Sequence, residues 1–286
     1  TPIRKFVPYA EKARAQGKKV YALNIGQPDI KTPDVFMEAV RNFDDKVLAY
    51  APSYGIPSLR KAVSEYYKRI GVDFAPEDIL ITMGGSEAIN LVMTCILNPG
   101  DEVLLGDPSY EAFRDTVNVA GATPVMIPLD ADMKYDLDAM LKAITSKTKM
   151  IVICNPNNPT GTFTESAKLE AFIKKVPDSV LVVIDEAYLE FVSTPDTYSM
   201  IKLINEGYEK PLLVLKTFSK AYGMAGLRIG VAAGNPDLVS YLGKCGAAWN
   251  ISFLGQMMAA EALKDQEYLK KIAELNAIER DKLTKE

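Results

Sequence analysis

Short apolar runs alternate with amphipathic segments along most of the chain. The apolar runs have the length of buried strands and lie at about residues 79–83, 102–106, 123–127, 149–154, 180–185, 211–216 and 227–232. Helices are predicted at about 32–42, 57–70, 84–98, 109–120, 136–144 and 164–175, and again beyond residue 232. This alternation predicts an α/β fold of three layers, in which helices cover both faces of a mostly parallel sheet.

Polar motifs follow four of these predicted strands. In sheets of this kind, ligands bind beyond the carboxyl ends of the strands. We therefore expect one edge of the sheet to gather the four motifs, which are Gly84–Glu87, Asn155–Gly161, Asp185–Tyr188 and Thr217–Lys220.

Composition and charge exclude several classes of function. The 286 residues are 48% hydrophobic and 24% charged, and their net charge of −4 provides no basic field for a nucleic acid or an anionic membrane. The apolar runs are far shorter than the roughly 20 residues of a membrane helix. The amino terminus has no signal-peptide pattern, and three widely spaced cysteines indicate buried thiols in a reducing compartment. We expect a cytoplasmic protein without nucleic-acid or membrane partners.

The chain has no histidine. This excludes a Ser-His-Asp or Cys-His arrangement and any histidine-ligated metal site within the chain, and no cysteine spacing indicates a metal either. Proton transfer must therefore rely on Lys, Tyr, Asp, Glu or Cys side chains.

The most distinctive candidate chemistry follows the apolar run at 211–216. Lys220 comes where this strand should end, with the hydroxyls of Thr217 and Ser219 beside it. Arg228 lies eight residues further on. Hydroxyl groups and a guanidinium suit phosphate, and a lysine beside a bound phosphate indicates pyridoxal 5'-phosphate (PLP), whose aldehyde forms a Schiff base with the amine. The plain alternative is a solvated loop lysine and a surface arginine.

Other strand ends carry groups that suit the same cofactor. Asp185 can hold a pyridinium nitrogen in its protonated form, although it can also cap the next helix. Tyr188 and Asn158 can hydrogen-bond the phenolic oxygen of the ring, whereas a plain turn also favours asparagine. Gly84–Glu87 can offer free amides to a phosphate, and Tyr110 can stack on the ring or simply pack in the core.

The order and spacing of these motifs resemble the fold-type I PLP-dependent aminotransferases, the class I/II group that includes aspartate and histidinol-phosphate aminotransferases. The resemblance extends through nearly the whole chain. The matching motifs are Asn24–Asp29, Tyr50–Arg60, Gly84–Ala88, Asp107–Tyr110, Asn155–Gly161, Asp185–Tyr188 and Ser219–Arg228.

The resemblance implies a role for each matching residue. Lys220 resembles the Schiff-base lysine that also shuttles the proton, and Asp185 the partner of the pyridine nitrogen. Tyr188 and Asn158 resemble the pair that binds the ring oxygen. The stacking and phosphate-binding positions match Tyr110, Gly85, Ser86, Glu87, Thr217, Ser219 and Arg228.

The resemblance also implies substrate contacts and a partner. Gly26 matches a position whose backbone meets the substrate carboxylate, and Asn158 is expected to contact substrate as well. Tyr50 resembles a tyrosine that reaches the phosphate of the neighbouring subunit, which implies a homodimer with shared active sites. The expected substrates are an L-amino acid and a 2-oxo acid, with an aspartate-type donor by analogy alone.

The chain departs from the family pattern at its carboxyl end. The family's carboxylate-binding arginine belongs to a small C-terminal domain, and the polar helix expected after residue 264 continues to Glu286 without a stop signal. We expect residues 34–264 to form the large PLP-binding domain and 265–286 to form a connecting helix at the start of an absent small domain. Residues 1–33 should belong with that domain.

Three other functions share much of this pattern. A PLP-dependent lyase of the same fold, such as a carbon–sulfur lyase, has nearly all these motifs. A regulatory PLP-binding domain requires a basic helix-turn-helix ahead of the fold, and the 25 residues before Gly26 are too few to contain one. A non-catalytic homologue is favoured by the missing arginine and opposed by Lys220 and Asp185.

Overall fold

One seven-stranded mixed sheet forms the centre of the protein. The computed structural model describes residues 5–23, 25–194 and 196–285, so Asn24 of the first predicted motif lies outside the described residues. The strands are β1 (Ile79–Thr82), β2 (Glu102–Asp107), β3 (Thr123–Pro128), β4 (Thr148–Cys154), β5 (Leu181–Asp185), β6 (Leu212–Thr217) and β7 (Gly230–Gly234).

The strand order is β1-β7-β6-β5-β4-β2-β3. The neighbours from β6 through β5, β4 and β2 to β3 are parallel, whereas β7 is antiparallel to both β1 and β6. Among these seven strands of the described residues, six therefore run in one direction and β7 is reversed. The predicted mostly parallel α/β sheet is confirmed.

Helices cover both faces of the sheet. They are α1 (Val7–Ala15), α2 (Asp34–Arg41), α3 (Pro57–Arg69), α4 (Gly84–Ile96), α5 (Glu111–Val119), α6 (Leu137–Lys142), α7 (Ser166–Lys175), α8 (Ile201–Asn205), α9 (Pro236–Cys245), α10 (Phe253–Ala262) and α11 (Gln266–Lys285). On one face, α4, α5 and α9 bury their apolar side chains. On the other face, α3, α6, α7, α8 and α10 do so, which completes three layers.

The strands are buried because their side chains point alternately to the two faces of the sheet, and a layer of helices covers each face. β5 illustrates this pattern: Val182 and Ile184 belong to one core and Val183 to the other. Such strands read as continuous apolar runs, which is why the sequence predicts them well. No helix in the described ranges is long and apolar enough to cross a membrane.

Two helices and one strand boundary differ from the sequence expectation. Helix α1 has no buried residue, so no apolar periodicity indicates it, and α8 is only five residues long. Strand β7 begins at Gly230, later than predicted, because a 3₁₀ turn at Ala225–Leu227 and a left-handed Arg228 precede it. The domain boundaries at residues 33 and 264 stay a prediction.

The reversal of β7 decides which residues meet at the edge of the sheet. Gly230 pairs with Thr82 on one side and with Thr217 on the other. The amino end of β7 therefore lies at the edge where β1 and β6 end, and it brings Arg228 to the predicted polar motifs.

Gly230 also lets β7 approach the start of α4. A Cβ at this position would lie 2.5 Å from the carbonyl carbon of Gly84 and 2.7 Å from the amide nitrogen of Gly85. Both atoms are backbone, so neither can move aside like the end of a side chain. Any residue other than glycine must push the strand away from the helix.

We predict that Gly230→Ala lowers the midpoint of urea unfolding, because overpacking against backbone costs about 1–3 kcal/mol. Gly226→Ala is the matched control, since a Cβ there meets no atom within 4 Å. Chemical unfolding of the two variants checks this. An equal effect of both substitutions, or none at Gly230, would contradict the packing argument.

Candidate active site

The amino end of α4 provides backbone donors at the edge of the sheet. Gly84, Gly85 and Ser86 begin this helix two residues after β1 ends, and the first amides of a helix have no partner within it. Such amides, together with the helix dipole, favour an anion. The hydroxyl of Thr217 donates to the hydroxyl of Ser219 over 3.0 Å on the neighbouring loop.

Arg228 adds a positive charge to this group. Its left-handed backbone (φ 56°, ψ 53°) precedes β7, and its Nη1 donates to the Ser219 hydroxyl over 3.4 Å and to the Ala225 carbonyl over 2.8 Å. A Cβ at Gly84 would lie 2.6 Å from Nη2, so the glycine leaves room for the guanidinium. Amides, hydroxyls and a guanidinium together form a site for a phosphate group.

Lys220 lies next to this anion site. Its Nζ donates to the carbonyl of Gly26 over 2.8 Å and lies 5.4 Å from the centre of the Tyr188 ring. Burial lowers the pKa of the Lys220 amine, Arg228 lowers it further, and the charge of Asp185 opposes both. A lowered pKa leaves more of the amine in the neutral form that attacks a carbonyl carbon.

Asp185 ends β5 and is buried, with 8% of its surface exposed. Its Oδ1 accepts a hydrogen bond from the Ala187 amide over 3.0 Å. Burial raises the pKa of Asp185 to about 6, against the lowering effects of that amide, of Lys216 and of Lys220. A buried carboxylate is costly unless a cation or a donor meets it, so this position favours a cationic ligand atom.

Tyr188 and Asn158 meet between these groups. The Asn158 side-chain amide donates to the Tyr188 hydroxyl over 3.3 Å. Burial raises the pKa of Tyr188 to about 12, so this hydroxyl keeps its proton and can donate it in a hydrogen bond. The other two asparagines of the motif hold the loop in place by hydrogen bonds. The Asn155 side chain forms them with the backbone of Thr164, and that of Asn157 donates to the Tyr135 hydroxyl.

Tyr110 forms another wall of the site. It precedes α5, and its ring packs edge-on against Phe113 with the centres 5.5 Å apart. Burial raises the pKa of Tyr110, and Ser86 nearby opposes that rise. Both residues line the same cavity, so this wall lies next to the amino end of α4.

These groups surround a cavity of about 270 Å³. The predicted site residues that line it are Gly26, Gly85, Ser86, Tyr110, Asn158, Asp185, Tyr188, Thr217, Ser219, Lys220 and Arg228. A larger cleft of about 1010 Å³ adjoins it through Gly26, Asn158, Tyr188 and Lys220, with α11 along its far side.

Two predicted site residues lie elsewhere. The Glu87 carboxylate accepts from the Met83 amide over 2.6 Å and from the Asn250 side chain, so it caps α4 and does not line the cavity. A carboxylate in an anion site would also repel a phosphate. Tyr50 is 80% exposed and stacks on Trp249 outside the cavity, with the ring centres 5.2 Å apart.

The sequence did not reveal three residues of or near the site. Cys154 ends β4 and lines the cavity. Lys216 and Glu190 form a buried ion pair beneath the edge, with Nζ and Oε1 2.6 Å apart. The only sequence signal for that pair is a lysine inside an otherwise apolar strand.

The donor set of the cavity fits PLP. An anion site suits the phosphate, the Lys220 amine suits the aldehyde, and Asp185 suits the ring nitrogen. Tyr188 and Asn158 offer hydrogen bonds to the ring oxygen. Within the described residues, no group of three His, Cys, Asp or Glu side chains is placed to hold a metal ion.

A lysine, a buried aspartate and an anion site at the edge of an α/β sheet are the features of a PLP-binding enzyme of this fold. Comparison with known families agrees. The model of the family "Aminotransferase class I and II" matches residues 18–286. The chain therefore belongs to the class I and II aminotransferases, a family of PLP-dependent transaminases, and the family expected from its sequence is confirmed.

Curated relatives differ in their named substrates. The chain is 38% identical over 255 residues to a histidinol-phosphate aminotransferase of Staphylococcus epidermidis, a match covering 89% of this chain and 68% of that protein. It is 42% identical over 218 residues to an aromatic amino acid aminotransferase of Mycobacteroides abscessus, covering 76% and 60% of the two chains. The chain thus spans about two thirds of the length of these curated relatives.

Solved structures share the fold closely. An aspartate aminotransferase of Thermus thermophilus superimposes with a TM-score of 0.87 at 29% identity, covering 96% of this chain and 73% of that one. An alanine aminotransferase of Pyrococcus furiosus gives 0.88 at 30%, covering 99% and 75%. The predicted three-layer fold is confirmed by these structures.

We predict that Asp185→Asn stabilises the cofactor-free protein at pH 7 and not at pH 4. The pKa of Asp185 is raised from 3.8 to about 6, so the folded chain binds its proton more tightly, and stability falls as pH rises through this interval. Asparagine keeps the acceptor for Ala187 without the charge. The gain at pH 7 should be about 3 kcal/mol, at roughly 1.4 kcal/mol for each pKa unit between 3.8 and about 6.

Urea unfolding of both proteins at pH 4 and pH 7 measures this difference. A variant that is less stable than the parent at pH 7, or a gain that does not depend on pH, would show that burial of the Asp185 charge is not a cost in the cofactor-free protein.

Proposed function

We propose that the protein is an aminotransferase that moves an amino group from an L-amino acid to a 2-oxo acid, with Lys220 as the residue that bonds PLP. The observation that carries this proposal is that Lys220 and Asp185 open into one cavity with the anion site of α4 and Arg228. A reactive amine and a buried carboxylate are the two groups that transamination on PLP requires.

PLP would be bound through groups at the two ends of the cavity. Its phosphate would be held by the amides of Gly85 and Ser86, the hydroxyls of Thr217 and Ser219 and the Arg228 guanidinium. Tyr110 would pack against one face of the ring. When bound, PLP supplies an aldehyde to the lysine amine and a ring that withdraws electrons from the substrate carbon that loses its proton.

Proton transfer relies on Lys220. With cofactor and substrate bound, its Nζ would accept the proton that the α-carbon of the amino acid loses and would hold it for its return. Asp185 would hold the ring nitrogen in its protonated form, and the Tyr188 hydroxyl and the Asn158 amide would donate hydrogen bonds to the ring oxygen. Gly26 lies at the mouth, where its backbone can meet the substrate carboxylate.

The identity of the amino donor is part of the proposal. An aspartate-type donor rests on analogy alone. The relatives with 38% and 42% identity are named for histidinol phosphate and for aromatic amino acids, whose side chains carry a ring. The open cleft of about 1010 Å³ beside Lys220 has room for such a side chain. We therefore propose a ring-bearing donor ahead of aspartate.

A homodimer with shared sites is also part of the proposal. Tyr50 and Trp249 are 80% and 59% exposed and stack on each other, although large aromatic side chains favour buried positions. We propose that a second copy covers this pair and that Tyr50 reaches the partner's phosphate site. A cytoplasmic location remains an expectation, although of the three cysteines that were predicted to be buried only Cys154 is so, Cys95 being half-buried and Cys245 exposed.

The strongest alternative is a PLP-dependent lyase of the same fold. A lyase releases ammonia or a thiol and requires no oxo-acid acceptor. A non-catalytic PLP-binding homologue would convert no donor at all, and a regulatory domain would belong to a longer protein with a separate DNA-binding part.

The test is product analysis of the purified protein with PLP, 2-oxoglutarate and one of three donors: phenylalanine, histidinol phosphate or aspartate. We expect glutamate to form with a ring-bearing donor and no ammonia to be released. Ammonia without glutamate would support the lyase, whereas faster turnover of aspartate would restore the aspartate-type donor.

Lys220→Ala should reduce this turnover by at least roughly 10³-fold, because it removes both the amine and the proton carrier. Lys244→Ala is the control, since Lys244 is exposed on α9. Steady-state rates under saturating PLP compare the variants. Turnover that survives in Lys220→Ala would contradict the role of this lysine.

A further inference from the structure

A buried cluster of charges lies beneath the site, on the opposite face of the sheet from Asp185. Lys216 of β6 and Glu190 form an ion pair with Nζ and Oε1 2.6 Å apart, and their side chains are 5% and 8% exposed. Burying charged side chains this deeply costs desolvation free energy. We therefore expect the pair to have a role other than stabilising the fold.

The pair is held from a third direction by α3. The Tyr66 hydroxyl donates to Glu190 over 3.0 Å, and the Lys216 ammonium lies 5.3 Å from the centre of the Tyr66 ring. Burial alone would lower the pKa of Lys216, yet Glu190 and Glu186 raise it above its usual value, so the ammonium stays charged.

The ion pair joins the two chain segments that carry the site. Lys216 lies four residues before Lys220, and Glu190 lies two residues after Tyr188. The backbone hydrogen bonds that pair β5 with β6 end at the Glu186 amide, which donates to the Leu215 carbonyl over 2.9 Å. Within the described ranges, the hydrogen bonds beyond that point hold each segment separately, and the Lys216–Glu190 pair connects them.

Lys216 also acts on Asp185 by its charge. Its ammonium lowers the pKa of Asp185 and opposes the effect of burial there. The other titratable groups facing the pair are Glu186, whose pKa burial raises to about 7, and the hydroxyls of Tyr67 and Tyr222. The cluster therefore contains one ammonium, that of Lys216, and the carboxylate of Glu190 partly offsets its charge.

We propose that Lys216 and Glu190 are positioning residues, which fix the segment of Asp185 and Tyr188 against the segment of Lys220 and together set the charge that acts on Asp185 from the opposite face of the sheet. This inference rests on the proposed function of the cavity. Neither side chain lines the cavity, so both act through the residues that do.

The first test uses the cofactor-free protein. Hydrogen exchange of the amides at 186–192 should become at least roughly tenfold faster in Lys216→Met and in Glu190→Gln, because a broken buried pair loosens the segment it holds. Lys216→Arg, which keeps the charge, should be affected less than Lys216→Met, because Glu190 is not left without a cation. The control is Lys210→Met, at the other end of β6, where Lys210 pairs with the exposed Asp178 over 3.0 Å.

The second test measures PLP affinity against pH. The pH at which binding is half lost on acidification should move upward in Lys216→Met, because Asp185 then protonates more easily. It should move downward in Glu190→Gln, because the Lys216 charge is no longer offset. A pair that served only to stabilise the fold would not produce opposite shifts.

If a single variant does not fold, Lys216→Met/Glu190→Met replaces the pair by apolar side chains, a change that is often neutral for stability. A double variant with the parent's kcat and the parent's pH midpoint would overturn the proposal, as would unchanged exchange at 186–192 in the single variants. We expect the double variant to keep its KM within about twofold while kcat falls.

The outcomes separate this inference from the proposed function. A parent protein that binds PLP but shows shifts of the same sign in both single variants would refute the positioning role and leave the aminotransferase proposal intact. A parent that does not bind PLP would refute the aminotransferase proposal, and hydrogen exchange alone would then decide whether the pair joins the two segments.

Discussion

The burial of Asp185 without a matching ion pair is the constraint on which the site depends. Among the described residues no salt bridge reaches this carboxylate, and its nearest donor is the Ala187 amide. Lys216 and Lys220 act on it by charge from further away. In the part of the chain that the structure describes, neither the Lys220 amine nor the Arg228 guanidinium forms an ion pair with a carboxylate. Charged groups that have no ion-pair partner and line a cavity indicate a binding site for a ligand of complementary charge.

The sheet makes this arrangement possible. Parallel strands bring the ends of β1, β4, β5 and β6 to one edge, and the reversed β7 adds Arg228 to it. Burying unpaired charged groups at this edge costs free energy of folding. The two apolar cores, one on each face of the sheet, offset that cost. Gly84 and Gly230 allow the close approach of helix, guanidinium and strand from which the anion site is built.

Much of this could be predicted from the sequence because the strands are continuous apolar runs with polar residues directly after them. Lys220, Asp185, Asn158 and Tyr188 each follow such a run, so local pattern alone places them at the edge. The identity of the cofactor followed from the chemistry of these few side chains, and the resemblance to a family assigned their roles.

Other features depend on contacts between distant parts of the chain. The direction of β7 is set by pairing, so its apolar pattern did not show how Arg228 reaches the site. Glu87 is drawn away from the cavity by Asn250, which lies 163 residues further along the chain. The sequence did not show that Lys216 is half of a buried ion pair, because its partner Glu190 follows β5 and lies 26 residues earlier in the chain.

We expect Lys220, and no other lysine, to form the covalent bond with the cofactor. Borohydride reduction of the PLP-loaded protein fixes the cofactor on the lysine that holds it, and peptide mass mapping then identifies that residue. We predict a single modified peptide, with the label on Lys220 and its loss in Lys220→Ala. A label on Lys216, a label spread over surface lysines, or no label at all would contradict this account of the site.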